Sequence, residues 1–335
     1  MDKKPRIAIV GLGVIGRLHA ELLSYGDYEV VGLCDVIEER AEYVREQYAK
    51  CAKVYTDYLK MVDELKPSSV HICTPHYLHA EMIIEVLKRD INVLSEKPLC
   101  INEEELEKIL SAEKSSRARL GVCLQNRFNP STLYLKQYLC GKEVISAHGS
   151  VVWKRDEAYY STERWRGGRD TEGGGVLINQ ALHTLDLLQW LCTEPYAVVA
   201  SKDNFSLKGI IEVEDTLSAK FYGTHPFTLF ATNSSGCDMP VRIDLRLSSG
   251  EDVTLMPNSV LIGDKLISFK EEAKKTSTGK VCYGSGHGRL FDEFYSALER
   301  GVRFLPDGKE ASRVMRLIFA AYKSSGERVE IKKCK

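Results

Sequence analysis

A chain of 335 residues with 44% hydrophobic and 28% charged side chains has the length of roughly two domains of about 150 residues each. It is too apolar to be a disordered chain and too mixed to be a fibrous one. Its 46 Lys+Arg against 47 Asp+Glu leave a formal net charge of -1, without the basic excess of a general nucleic-acid binder. Lys3, Lys4 and Arg6 precede an apolar stretch at 7–16, as in a secretory leader. That stretch carries three glycines and runs into Arg17 and His19 with no cleavage site, so no leader is expected. No run of about 18 apolar residues follows, so no membrane span is expected. The ten cysteines lie at least 17 positions apart and form no CxxC, which fits reduced thiols in a cytoplasm.

The first third alternates strands and helices. Residues 7–10 form a wholly apolar run that reads as a strand buried on both faces. Gly11-Leu12-Gly13-Val14-Ile15-Gly16 follows, then a predicted helix at 17–24 and a strand at 30–34 that ends in Asp35. In this order Gly11 allows a tight turn, Gly13 a close backbone approach to a pyrophosphate, and Gly16 close helix–strand packing. The helix N-terminus offers free N–H groups to phosphates. Asp35, 24 residues after Gly11, can accept from ribose hydroxyls and would repel a 2′-phosphate, favouring NAD over NADP. FAD-binding domains share the fingerprint. The pattern continues with strands at 70–74, 91–95 and 120–124, and helices at 78–88 and 103–114, the last capped by Asn102. Such alternation predicts a parallel sheet whose carboxyl edge displays Gly11, Asp35, Thr74-Pro75 and Glu96-Lys97-Pro98.

After Asn126 the pattern changes. Strands are predicted at 144–154, 196–201, 216–222, 227–233, 242–247 and 260–262, several alternating apolar and polar residues without intervening helices. Helices are predicted at 177–191, 287–300 and 309–324. The reading is α/β in the first 125 residues, a Rossmann dinucleotide-binding domain, followed over 126–335 by an α+β domain with a large, mostly antiparallel open sheet. A second copy of the chain is the expected cover for the sheet's free face, giving a homodimer or homotetramer.

Lys97 follows an apolar strand at the binding edge, and Pro98 holds it extended. A nearby positive charge would bring a lysine toward neutral pKa and suit general acid–base work. Three glycines, 173–175, open the 177–191 helix, on which Asn179, His183, Asp186 and Trp190 share one face. The glycines permit close approach of a ligand or of another backbone. His71, His76 and His79 fit no familiar metal spacing, so no metal is expected. Trp153, Tyr159, Tyr160, Trp165 and Tyr283 are candidates for stacking on a sugar ring.

Taken together, GLGVIG at 11–16, Asp35, Thr74-Pro75 with His79, Glu96-Lys97-Pro98, Trp165-Arg166-Gly167 and the GGG…His183…Asp186 segment resemble the Gfo/Idh/MocA family of sugar oxidoreductases. The resemblance covers nearly the whole chain. It implies an NAD(P)-dependent enzyme that moves a hydride between nicotinamide and a secondary hydroxyl, or ketone, of a sugar, inositol or sugar derivative. Lys97 would be the acid/base and His183 its partner on the substrate side. The implied cofactor contacts are Gly11, Gly13, Val14, Ile15, Gly16, Asp35, Thr74, Pro75, His79, Glu96, Lys97, Gln125, Trp165 and Arg166. Arg155, Tyr160, Asn179, Gln180, His183 and His287 join Lys97 around the substrate. Many members have Asp where this chain has Asn179. Asn cannot take a proton, so proton transfer would fall on Lys97 and His183. Ile178-Asn179-Gln180 resembles members that act on amino-sugar or nucleotide-sugar substrates. Two other readings stand beside the dehydrogenase: an NAD-dependent glycoside-cleaving enzyme that oxidises its sugar transiently, and a non-catalytic NAD- and sugar-binding regulator.

Overall fold

A computed structural model describes residues 4–192, 194–270 and 286–332; Tyr283 lies outside them. The N-terminal part builds β1 (Arg6–Val10), α1 (Val14–Ser24), β2 (Glu29–Cys34), α2 (Glu38–Tyr48), β3 (Lys53–Tyr55), α3 (Tyr58–Leu65), β4 (Ser69–Ile72), α4 (His76–Leu87), β5 (Asn92–Ser95), α5 (Glu103–Ser115) and β6 (Leu120–Val122). The six strands are parallel in the order β3-β2-β1-β4-β5-β6. The order reverses direction beside β1, and ligands of open parallel sheets bind at the carboxyl ends next to that point. β1, β4, β5 and β6 are buried on both faces, which is why they read as largely apolar runs, with Ser69 and His71 of β4 and Ser95 of β5 as buried polar exceptions. Asn102 caps α5 as expected, its Oδ1 accepting from Glu105 N at 2.9 Å. The short, half-exposed β3 carries no such run and is not legible in the sequence.

A 3-10 turn at Gln125–Phe128 leads into α6 (Pro130–Tyr138), β7 (Val144–Val152), α7 (Glu157–Ser161), α8 (Arg169–Glu172), α9 (Val176–Asn179) and α10 (Leu182–Leu191). β8 (Ala197–Asp203), β9 (Thr216–Tyr222), β10 (Phe227–Thr232), β11 (Arg242–Leu247), β12 (Asp252–Met256), β13 (Ser259–Ile262) and β14 (Lys265–Ser268) follow. The chain finishes with α11 (Gly286–Glu299), α12 (Gly308–Lys323) and β15 (Val329–Glu330). The nine-stranded sheet runs β14-β13-β12-β11-β7-β10-β9-β8-β15. Every pairing is antiparallel except β7 with β10. Inward residues such as Leu217, Ala219 and Phe221 alternate with outward Ser218 and Lys220, the pattern of a sheet covered on one face.

Helix α11 comes late in the chain yet packs on the N-terminal sheet. Its Leu290, Phe291 and Phe294 join Ile7, Ile9, Leu33 and Leu94 in one buried cluster with Phe304. Each fully buried side chain of this size stabilises by about 1.5–3 kcal/mol, so α11, although distant in sequence, is part of the packing of the N-terminal sheet.

The single helix expected at 177–191 is instead two. Ala181 N donates to Val176 O at 2.8 Å, an i→i+5 bond that widens the turn and separates α9 from α10. The Gln180 side chain at this break bonds Asn233 and Tyr159. Those long-range contacts, invisible to helical periodicity, accompany the break.

Candidate active site

The glycine loop leaves β1 at the sheet's carboxyl edge. Gly11 has φ +84°, and a Cβ there would lie 2.7 Å from the Cys73 carbonyl; one on Gly16 would lie 1.9 Å from Gly11 O. A Cβ on Gly13 meets nothing within 4 Å. Gly13 is also the N-cap of the 11-residue α1 and makes no side-chain cap bond. The Asp35 carboxylate accepts from Leu12 N at 2.7 Å and Ile37 N at 2.9 Å, so it also braces the loop. Open space above Gly13, a helix N-terminus and a fixed carboxylate at the end of β2 are the features a dinucleotide requires. Val14, exposed at the start of α1, and Ile15, packed beneath it, flank that space.

Lys97 sits just beyond β5, and its peptide bond to Pro98 is cis. Its Nζ donates to Asn179 O at 2.9 Å and to Asn179 Oδ1 at 3.5 Å. His183, one turn into α10, faces Gln125, whose Nε2 donates to His183 Nε2 at 3.1 Å. His183 Nδ1 is buried without a partner among the described residues. Burial and then the Lys97 charge push His183 down to about 3. Its ring is therefore neutral near pH 7, a hydrogen-bonding group rather than a proton carrier. Below it Asp186 binds Arg127, from the same 3-10 turn as Gln125.

Several residues expected at the ligands have other partners. His79 has both ring nitrogens occupied by main-chain oxygens, Pro98 O at 2.7 Å and Thr74 O at 2.8 Å. It joins the Thr74-Pro75 turn to the Lys97-Pro98 turn rather than reaching a cofactor. His287, expected at the substrate, is buried and donates from Nε2 to Glu96 Oε1 at 3.1 Å. The Glu96 carboxylate, expected at the cofactor, also takes His19 Nε2 at 3.1 Å and Lys97 N at 3.2 Å. Burial, the largest influence, pushes the Glu96 carboxyl up; the bonds from His19 and His287 outweigh it and hold it well below the usual range. His19 Nδ1 then accepts from His71 Nδ1 at 2.9 Å, and His71 Nε2 accepts from Tyr295 OH at 2.7 Å. His19, Glu96 and Cys123 are the grouping of possible metal donors among the described residues, within 4.8 Å of one another. This run of oriented hydrogen bonds accounts for the His19 and Glu96 atoms without an ion. His71, His76 and His79 do not form a common site: His76 donates from Nδ1 to Glu172 O at 2.9 Å.

An aromatic–arginine wall stands beside Lys97. Trp165 packs on His76 with ring centroids 4.6 Å apart. Arg166 lies over Tyr159 at 4.5 Å and Trp165 at 4.9 Å and donates to Tyr159 OH. Its Nε is buried without a partner among the described residues. Arg155 lies over Trp153 at 4.8 Å and Tyr159 at 5.3 Å but is paired with Asp238. Tyr160 is buried against Tyr159, and Asn233 Nδ2 donates to its hydroxyl at 3.0 Å. The glycine run approaches protein, not a ligand: a Cβ on Gly175 would lie 1.8 Å from Glu214 O and one on Gly174 2.0 Å from Tyr322 OH.

Residues 5–124 match the family described as "Oxidoreductase family, NAD-binding Rossmann fold", GFO_IDH_MocA, and residues 142–251 match the GFO/IDH/MocA C-terminal domain. The chain belongs to the GFO/IDH/MocA oxidoreductases. Its N-terminal part is thus an NAD-binding Rossmann domain. The chain is similar to the WlbA dehydrogenase from Bordetella pertussis, solved in complex with NADH and UDP-GlcNAcA. That likeness has 26% identity and a TM-score of 0.85, over 99% of each chain. It is also similar to the inositol 2-dehydrogenase of Salmonella typhimurium, 25% identical over 58% of this chain, and it spans 56% of that enzyme's length. The inositol 2-dehydrogenase of Rhizobium meliloti is 21% identical over 97% of this chain and 98% of its own.

We propose that Asp35 sets cofactor choice in this GFO/IDH/MocA chain. NAD is expected to raise the melting temperature more than NADP at equal concentration. In Asp35→Ser the preference should fall by about tenfold or more in Kd, near 1.4 kcal/mol per tenfold. A wild-type protein stabilised more by NADP would contradict this role. Glu172 is a buried carboxylate of this site that the sequence does not single out. It accepts from Gly167 N and Asn179 Nδ2, and its partners are brought to it only by tertiary folding. No helix among the described residues is long and apolar enough to cross a membrane, and the eight cysteines there are free.

Proposed function

We propose that the protein is an NAD-dependent oxidoreductase acting on a secondary hydroxyl, or the corresponding ketone, of a sugar, inositol or sugar derivative. The observation that carries this reading is the meeting of Lys97 Nζ with Asn179 O at 2.9 Å. It joins the edge of the NAD-binding sheet to the α9–α10 segment that holds His183.

When bound, NAD supplies the acceptor or donor of the hydride. Gly11, Gly13 and the N-terminus of α1 would hold its pyrophosphate, and Asp35 its ribose. Lys97 takes the hydroxyl proton on oxidation and returns one on reduction. His183, neutral and fixed by Gln125, orients the reacting oxygen. Trp165 and Arg166 close the wall beside Lys97, and their placement beside His76 and Tyr159 keeps the reacting groups aligned, the effect that gives enzymes much of their rate.

The substrate class we favour is a nucleotide-linked N-acetyl sugar acid. The similarity to WlbA in complex with UDP-GlcNAcA over 99% of the chain supports it. The outward face of the nine-stranded sheet, with Ile145 and Phe230 exposed, fits a second copy of the chain. A single-chain mass by light scattering would overturn that assembly. The function is tested by incubating the protein with NAD and a panel of inositols, free sugars and UDP-linked N-acetyl uronates. Reduced-nicotinamide absorbance should appear with a member of the panel. Cleavage of a glycoside with no net absorbance change would replace this reading by the glycoside-cleaving one.

A further inference from the structure

Lys97 Nζ meets both the main-chain and the side-chain oxygen of Asn179, and Asn179 in turn holds a carboxylate. The Asn179 amide is oriented, with Oδ1 toward Lys97 Nζ at 3.5 Å and Nδ2 donating to Glu172 Oε1. The second oxygen of Glu172 takes Gly167 N, next to Trp165 and Arg166. One buried carboxylate therefore joins the lysine, through one amide, to the wall beside it.

We propose that Glu172 is a positioning residue for the proposed reaction. Its ionised carboxylate fixes the Asn179 amide so that a carbonyl oxygen faces Lys97, and the same charge anchors the 165–167 segment.

The chemistry is directional. An ionised carboxylate only accepts hydrogen bonds, so Asn179 must offer it the NH2 group and turn its oxygen to Lys97. A protonated Glu172 is also a donor. It can bond Asn179 Oδ1, which turns the NH2 toward the lysine and removes an acceptor from it. The two states of Glu172 thus present opposite faces of one amide to Lys97.

Both states are within reach near neutral pH. Burial, the largest influence, pushes Glu172 up to about 7 against the bonds from Gly167 and Asn179. Arg166 favours its charge and Glu214 opposes it. Tyr159, Tyr160 and Tyr322 face it as neutral phenols, all pushed up by burial. His76, which donates to the Glu172 carbonyl, is held neutral by burial and then by Lys97. Among these neighbours Glu172 is the carboxylate that bonds Asn179; Glu214 is pushed up by burial as well, but its oxygens take Gly175 N, Leu177 N and the Tyr322 hydroxyl. Because the ionised form is the competent one, competence is present above about 7 and lost below it.

This inference rests on the proposed role of Lys97, and two readouts separate the failure of one from the failure of the other. The first is the pH profile of kcat/KM. The wild type should lose activity on the acid side with two ionisations, Lys97 and Glu172, falling about a hundredfold per pH unit below both. Glu172→Gln should leave one, about tenfold per unit, and Glu172→Asp should restore the steeper limb. The second readout needs no substrate: infrared titration of the free protein should show carboxylic-acid absorbance growing in as pH falls through about 7, from Glu172 and from Glu113, which burial also pushes up to about 7; Glu172→Gln should lose the Glu172 share and keep the rest. A Glu172→Gln profile of wild-type shape, merely scaled down, would overturn the proposal, and so would an infrared titration indistinguishable from wild type. A protein that turns over no sugar but whose absorbance change through about 7 shrinks in Glu172→Gln refutes the assigned reaction and leaves the carboxylate's titration standing.

Discussion

Lys97→Met is expected to lower kcat by about a thousandfold, the range of a lost general acid–base group. NAD should still raise the melting temperature, because the glycine loop and Asp35 hold the dinucleotide from other elements. Lys97→Arg should be nearly as inactive, although it keeps the positive charge and can still donate to Asn179. A guanidinium does not give up its proton in this pH range. The pair of variants therefore separates proton transfer from charge. A Lys97→Arg enzyme within about tenfold of wild type would mean that the lysine acts only as a cation. The structure narrows the alternatives: Asn179 cannot titrate, and His183 is held near 3 by burial and by Lys97. A neutral His183 ring fits the proposed role of orienting the reacting oxygen, with the proton left to Lys97.

Asp186→Ala is expected to destabilise the fold by about 3–5 kcal/mol, the cost of leaving a buried charge without its partner. Arg127 donates to Asp186 through Nε at 2.8 Å and Nη2 at 2.6 Å and reaches Glu310 at 3.1 Å. Only 5% of the Arg127 side chain and 1% of that of Asp186 is exposed. Lys136 lies over the same Trp190 ring as Arg127, at 4.5 and 5.1 Å, so removing the carboxylate also unmasks like-charge repulsion. Urea unfolding measures the loss. Arg127→Met with Asp186→Leu should recover much of it, since no unpaired cation remains and Glu310 keeps Arg313. A change below about 1 kcal/mol in Asp186→Ala would show that this pair is not what ties the 3-10 turn to α10. The same turn carries Gln125, so the variant should also loosen His183.

What the sequence showed and what it hid divide by range. Gly11, Gly13, Gly16 and Asp35 were legible because a turn, a helix start and a strand end lie within one short stretch. The buried strands of the parallel sheet were legible as apolar runs. Lys97 could be read at the sheet edge because an apolar strand and a proline bracket it. Asn179 and His183 were visible as neighbours on a helix, but the wide turn at Ala181 was not, because the Gln180 contacts near it come from Asn233 and Tyr159. The glycine run was read as room for a ligand or a backbone, and only the fold shows Glu214 and Tyr322 filling it. Glu172 looked like one acid among 47; its burial and its bonds to Gly167 and Asn179 exist only once α8 and α9 fold together. The same holds for His19, Glu96 and His287, whose partners are 77 and 191 positions apart. Local chemistry locates the cofactor loop and the lysine, and tertiary structure decides which neighbouring groups act on them.

The central claim is that this fold brings a sugar carbon, Lys97 and the nicotinamide together for direct hydride exchange. It is tested most directly with a substrate deuterated at the carbon to be oxidised, mass spectrometry following the label after reaction with NAD. The account predicts that the deuterium is recovered in the reduced cofactor and that Lys97→Met forms none. Unlabelled NADH with deuterium released to water, or turnover of the substrate with no reduced cofactor at any stage, would contradict it.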